Sequence, residues 1–133
     1  VKFIIDNIYL FVLILGSGIS LLIPVLQKRG KKVTPMQAVL LINKDQASIV
    51  DVRDVAEFSA GHLRNAKNIP LAELRKRINQ LGIDKTRPLV VVCQTGVRSA
   101  RATALLLKAG FNAVSLDGGV AAWETANLPI SKD

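Results

Sequence analysis

The chain has one cysteine, one histidine, one tryptophan, one tyrosine and one methionine in 133 residues. A single cysteine rules out an intramolecular disulfide, so a secreted disulfide-stapled scaffold is excluded and a reducing compartment fits. One cysteine and one histidine fall short of the four protein ligands of a structural zinc site, and no metal or cofactor is called for. Aromatic residues make up 5% of the chain. Beyond residue 33 they are Phe58, Phe111 and Trp123, with no basic stripe interleaved among them, so no nucleic-acid partner is expected. No internal repeat is visible, and nothing after Lys32 is low in complexity.

Hydrophobic residues are abundant, at half the chain, and mean hydropathy is +0.33. The excess sits in the first 26 residues. Phe3–Leu26 reads FIIDNIYLFVLILGSGISLLIPVL, and no charge falls between Ile8 and Leu26. About 20 mostly apolar residues suffice to span a bilayer. A domain of about 100 residues cannot enclose a helix that is apolar on all faces. A cleaved signal peptide would put positive charge before a shorter apolar run, and here the basic cluster KRGKK follows it. Residues 1–27 are therefore expected to form a transmembrane anchor, and residues 28–33 a basic linker able to rest on anionic headgroups. The positive-inside rule places Lys28–Lys32 in the cytoplasm, giving a single-pass membrane protein with its domain inside. Gly16 and Ser20 offer a small-residue face for helix packing, which leaves the oligomeric state open.

Residues 34–133 alternate strand and helix patterns. Thr34-Pro35 starts a helix as cap and first residue, with Met36, Val39, Leu40 and Ile42 as its apolar positions. Ser48–Val52 is a buried β-branched strand, Ala66–Ile69 a second, Leu89–Val92 the most hydrophobic one, and Ala113–Leu116 another. Helices are expected over Asp54–Ala60, Leu71–Leu81, Ser99–Ala109 and Val120–Ala126. The alternation predicts an α/β domain with a mostly parallel sheet covered on both faces.

Cys93 lies where that sheet would bind a ligand, just past the carboxyl end of a buried strand. Free cysteine is among the most buried residue types, so packing alone would account for it. The residues that follow argue for chemistry instead. Gln94-Thr95-Gly96-Val97-Arg98-Ser99 leads from the strand into a helix, where loop amides and a helix N-terminus attract anions. Such a setting lowers a cysteine pKa from about 8.5. Gly96 lets the backbone approach a ligand, and Arg98 supplies a planar cation for sulfonate, phosphate or carboxylate oxygens. Nothing in the sequence supports His62 as a base; it is expected to satisfy a turn.

Asp51-Val52-Arg53, Glu57-Phe58, Gly61-His62-Leu63, Ala66–Pro70, Cys93–Ser99 and Leu116–Val120 with Trp123 together resemble a rhodanese (sulfurtransferase) domain. The resemblance covers about Val33–Ile130. It implies a three-layer fold on a five-stranded sheet. It implies transfer of sulfur from thiosulfate or a similar sulfane donor to a thiol, protein or other thiophilic acceptor, through a persulfide on Cys93. The loop amides from Gln94 to Ser99 would hold the donor and Arg98 would neutralise its oxygens. Related phosphatases use Cys-x5-Arg, one residue longer than the Cys-x4-Arg found here. Asp51 and Arg53 are expected to support the site as a buried ion pair, and Arg64 to face the pocket mouth. The alternative is a membrane-tethered binding module on the same fold, with little catalytic activity.

Overall fold

The computed structural model describes residues 1–27 and 30–132, the side chains of 24–27 excepted. Helix α1 (Lys2–Asp6) ends at Asn7, whose side chain donates to the Phe3 carbonyl. Helix α2 (Ile8–Gln27) follows. The break at Asn7 divides what the sequence led us to expect as one continuous helix. Val12, Leu13, Ile14 and Leu15 are each 63–68% exposed. Four consecutive residues sample a full helical turn, so α2 is bare on every side. Among the described residues no helix is long and apolar enough to cross a membrane. The described residues therefore do not show the transmembrane anchor expected over residues 1–27. Lys28 and Arg29, which carried part of the orientation argument, lie outside the described residues.

The domain comprises β1 (Lys32–Val33), α3 (Pro35–Lys44), β2 (Ser48–Asp51), α4 (Val55–Ala60), β3 (Lys67–Asn68), α5 (Leu71–Arg77), β4 (Pro88–Val92), α6 (Val97–Lys108), β5 (Asn112–Leu116) and α7 (Gly119–Thr125). The strands form one sheet in the order β1-β5-β4-β2-β3, and every neighbouring pair is parallel. β4 lies at the centre, and Leu89 to Val92 are fully buried. A parallel sheet covered on both faces needs such an unbroken apolar run. Each of these side chains contributes about 1.5–3 kcal/mol by leaving water. Leu89, Val91 and Cys93 face one core layer with Ala102 and Leu106 of α6 and Leu74 of α5. Val90 and Val92 face the other, with Ala38 of α3 and Val120 and Trp123 of α7.

Some boundaries differ from the sequence reading. Lys32 and Val33, placed in a linker, form the edge strand: Val33 pairs with Leu116. The run is two residues long, too short for periodicity to reveal, and β5 alone makes it a strand. In α3, Met36 and Leu40 are exposed, and Ala38 is the buried position. A helix against a sheet edge buries a narrower stripe than its apolar residues suggest. The helix expected over Leu71–Leu81 ends at Arg77 and tightens into a 3₁₀ turn over Ile78–Gln80.

Candidate active site

Because all strands are parallel, their carboxyl ends share one edge of the sheet, and β4 delivers Cys93 there. Cys93 is buried, at 1% exposure. The loop above it returns at once into α6, which starts at Val97, two residues before the expected Ser99. Gly96 makes the turn possible. It caps α6 at φ +102°, in the left-handed region, and its N–H points back at Cys93 Sγ from 2.9 Å. Ser99, in the first turn of α6, places its hydroxyl 3.4 Å from Sγ. That hydroxyl also donates to the Gly96 carbonyl and lies 2.7 Å from the hydroxyl of Ser115 on β5.

Two effects oppose each other at the thiol. Burial pushes its pKa up. The Ser99 hydroxyl and the amides of Ser99, Gly96 and Thr95 stabilise the thiolate, and together they prevail, so the pKa falls below the usual thiol value. In the protonated form Sγ–H donates to Ser99. In the thiolate form that bond reverses, and Ser115 can supply a proton to the lone pair Ser99 then leaves open.

The loop is braced from two sides. Asp51 and Arg53 form the expected buried ion pair, at 2.8 Å and 0% and 3% exposure. Arg53 also donates to the Gly61 carbonyl and, through Nη1, to the Gln94 side chain at 3.2 Å. Gln94 is thus tied to the neighbouring strand. On the other side Gly119 packs directly on the Cys93 carbonyl, leaving no space for a Cβ. The Val120 and Ala121 amides donate to the Cys93 and Gln94 carbonyls at 2.8 and 3.1 Å. With φ +61°, Gly119 is also in a backbone region that side chains disfavour.

Arg98 lies at the site, but its guanidinium is turned to Glu57. The two make a bidentate pair, at 2.7 and 2.9 Å, across α4 and α6. This pairing with Arg98 holds the Glu57 carboxyl down to about 2. It also raises the Arg98 pKa. Thr95 and Val97 are exposed on the outer side of the loop. Arg64 is not at the mouth of this site. It lines a groove of about 350 Å³ with Ser48 and Gly82, at the amino ends of the strands. The parallel order of β2 and β3 forces that separation, because a residue leading into a strand sits opposite the strand's outlet. His62 Nδ1–H donates to the Phe58 carbonyl at 2.8 Å, the structural role expected of it.

The site residues that sequence reasoning passed over as such are Ser115, Gly119 and Glu57. Ser115 carried one signal, a polar residue inside an otherwise apolar strand. Gly118-Gly119 read only as a turn, and Glu57 only as part of a resemblance. An ion pair between residues 41 apart in sequence has no local signature.

The rhodanese-like domain family matches residues 34–126. The chain belongs to that family. Within it, the rhodanese-like domain is 41% identical over 98 residues to thiosulfate sulfurtransferase GlpE of Shewanella oneidensis, covering 73% of this chain and 95% of that one. It is 42% identical over 79 residues to YqhL of Bacillus subtilis, covering 59% of this chain and 61% of YqhL. Among solved structures, a rhodanese-related protein of Thermoplasma volcanium superposes with a TM-score of 0.68 at 29% identity, covering 77% of this chain and 99% of the other. The parallel five-stranded sheet is thus the rhodanese fold, and sulfurtransferase activity is the family-level expectation it carries.

Proposed function

We propose that this rhodanese-like protein is a sulfurtransferase that carries sulfur as a persulfide on Cys93. The carrying observation is the Gly96 amide 2.9 Å from a buried sulfur whose pKa is lowered by its hydrogen bonds. The thiolate attacks the outer sulfur of thiosulfate. A new S–S bond forms, the S–S bond of the donor breaks, and sulfite leaves with the electron pair. An acceptor, cyanide or a thiolate, then attacks the outer sulfur of the persulfide. It leaves as thiocyanate or as an acceptor persulfide, and the Cys93 thiolate is restored. The amides over Gln94–Ser99 stabilise the anion at each stage. Arg98 meets donor oxygens with the N–H groups that its pairing with Glu57 leaves free.

The same proposal includes tethering. The exposed apolar surface of α2 and the basic residues that follow it support a single-pass anchor in the bacterial inner membrane, with the domain in the cytoplasm. Sulfur loading is tested by incubating the detergent-solubilised full chain with thiosulfate and weighing it intact. One added sulfur on the wild type and none on Cys93→Ser is expected. No adduct on either would sink the enzyme reading and leave the tethered binding module. A reporter fused after Asp133 tests orientation; a periplasmic signal would refute the cytoplasmic assignment.

A further inference from the structure

The two edges of the sheet differ in charge. At the carboxyl edge, around Cys93, the exposed acids are Asp54 and Asp117, with Glu73 in the first turn of α5 and Glu57 half-buried and holding Arg98; Arg101 is the exposed base there. At the amino edge the charge is reversed. Lys31 leads into β1, Lys44 closes α3 before β2, Arg64 leads into β3 and Lys67 opens it. Lys85 precedes β4, and Lys108 closes α6 before β5. All six are exposed. The acids at this edge are Asp45 and Asp84, and Asp84 is engaged by Thr86 and Arg87. Two open grooves indent the same edge. Arg64 and Lys67 line one of about 350 Å³, and Lys31 and Lys32 line another of about 410 Å³; neither lining contains an acid.

The chain also comes into the domain at this edge. Gly30 packs against Thr103 and Leu107 of α6, whose last turn points away from Cys93. The Lys31 carbonyl then accepts from Ser115, and the chain runs along β5 toward the carboxyl edge. Whatever precedes Gly30 therefore joins the domain on its basic side, remote from the thiol.

From this juxtaposition we infer that the amino edge of the sheet is a docking surface for an anionic lipid bilayer, and that it holds the Cys93 edge facing away from the membrane. The inference rests on the anchor reading of α2, and the apolar helix next in sequence to this edge is what favours lipid over a nucleic acid. Basic groups within a Debye length of an anionic leaflet are drawn to it. The acidic carboxyl edge is repelled by the same field. Docking thus presents the persulfide to donors and acceptors in the aqueous phase.

The test places the full chain in nanodiscs of phosphatidylcholine alone or mixed with phosphatidylglycerol. An amine-reactive reagent labels the lysines, and peptides are read by mass spectrometry. Labelling of Lys44 and Lys108 should fall about threefold or more with the anionic lipid and recover at about 1 M salt, where the Debye length is about 3 Å. Sulfur loading of Cys93 should be the same in both bilayers. The combined variant Lys31→Glu, Arg64→Glu and Lys85→Glu, which keeps Lys44 and Lys108 as reporters, should lose the lipid dependence and still load sulfur, which shows that it folds. Equal labelling in the two bilayers overturns the docking surface while leaving the anchor intact. Loading blocked only by the anionic bilayer overturns the orientation. Failure to incorporate into either bilayer overturns the anchor, and this inference with it. Equal protection by a DNA duplex at the same ionic strength would assign the surface to nucleic acid instead.

Discussion

The carboxyl and amino edges of the sheet are made by the same five strands, yet one concentrates hydrogen-bond donors around a single sulfur and the other concentrates exposed cations. At the carboxyl edge Gly96, Gly118 and Gly119 all have positive φ, and amides converge on Cys93 Sγ and on the carbonyls of its loop. At the amino edge the basic groups sit on helix ends and lead-in turns, with open grooves between them. The difference follows from parallel topology. In the domain each strand outlet meets a helix N-terminus, where donors are left over, and α3 and α6 end at strand inlets, where cations are favoured. Fixed donors suit one small anion held in one geometry. Exposed lysines suit a diffuse charged surface.

Breaking one edge should leave the other untouched. The largest effect is expected from Cys93→Ser, which should abolish sulfur loading outright, whereas Lys44→Glu at the opposite edge should leave the loading rate unchanged. Both are read by intact mass after exposure to thiosulfate. Gly119→Ala comes next. Its methyl would collide with the Cys93 carbonyl, so a stability loss of about 1–3 kcal/mol is expected in urea unfolding, with loading impaired as well. An unchanged midpoint would mean that the loop is not held as described.

Ser99→Ala removes the hydroxyl that steadies the thiolate. A hydrogen bond to a charged group is worth about 1.5–3 kcal/mol, so loading near neutral pH should slow by about tenfold or more. The wild-type rate should rise with pH and level off below the ordinary thiol range, because the Cys93 pKa is lowered. In Ser99→Ala the midpoint should move upward. Ser115→Ala should move it in the same direction by less, since Ser115 acts only through Ser99. A Ser115→Ala profile identical to wild type would reduce that hydroxyl to packing.

The smallest effect is expected from Glu57→Gln. The folded carboxyl titrates at about 2 instead of its ordinary 4.5. Its pairing with Arg98 therefore stabilises the fold fully above about pH 4.5 and is lost as the pH falls toward 2. The pair is about one-third exposed on each side, which limits it to under about 1 kcal/mol at neutral pH. Acid unfolding of Glu57→Gln should lack that portion of the pH slope. With Arg98 released, half-saturation by thiosulfate should shift to lower concentration.

Much of this was legible in the sequence for local reasons. Leu89–Val92 is apolar enough to specify a buried strand, and Cys-x4-Arg with Gly96 between specifies a tight turn into a helix. Ser48–Asp51 likewise ends in an acid and an arginine two residues apart, close enough in sequence for the ion pair to be foreseen. Apart from helix ends shifted by a few residues, the misplacements were non-local. Arg64 is three residues from β3, and only the direction of that strand decides which edge it occupies. Val33 becomes a strand only because β5 runs beside it, the Asp117 amide donating to its carbonyl. Met36 and Leu40 are exposed because the sheet edge beneath α3 is narrow.

The sequence by itself determined the chemistry available: one thiol, a short anion-binding loop, an apolar N-terminal run and a surplus of positive charge. Those depend on residue type and spacing over a few positions. Only the tertiary structure decided what the chemistry faces. It brought Ser115 to Ser99 and Gly119 to Cys93, turned Arg98 to Glu57, and sorted acids and bases to opposite edges. Parallel pairing is what fixes these relations, because it sets which chain ends lie together across distances that no local pattern records.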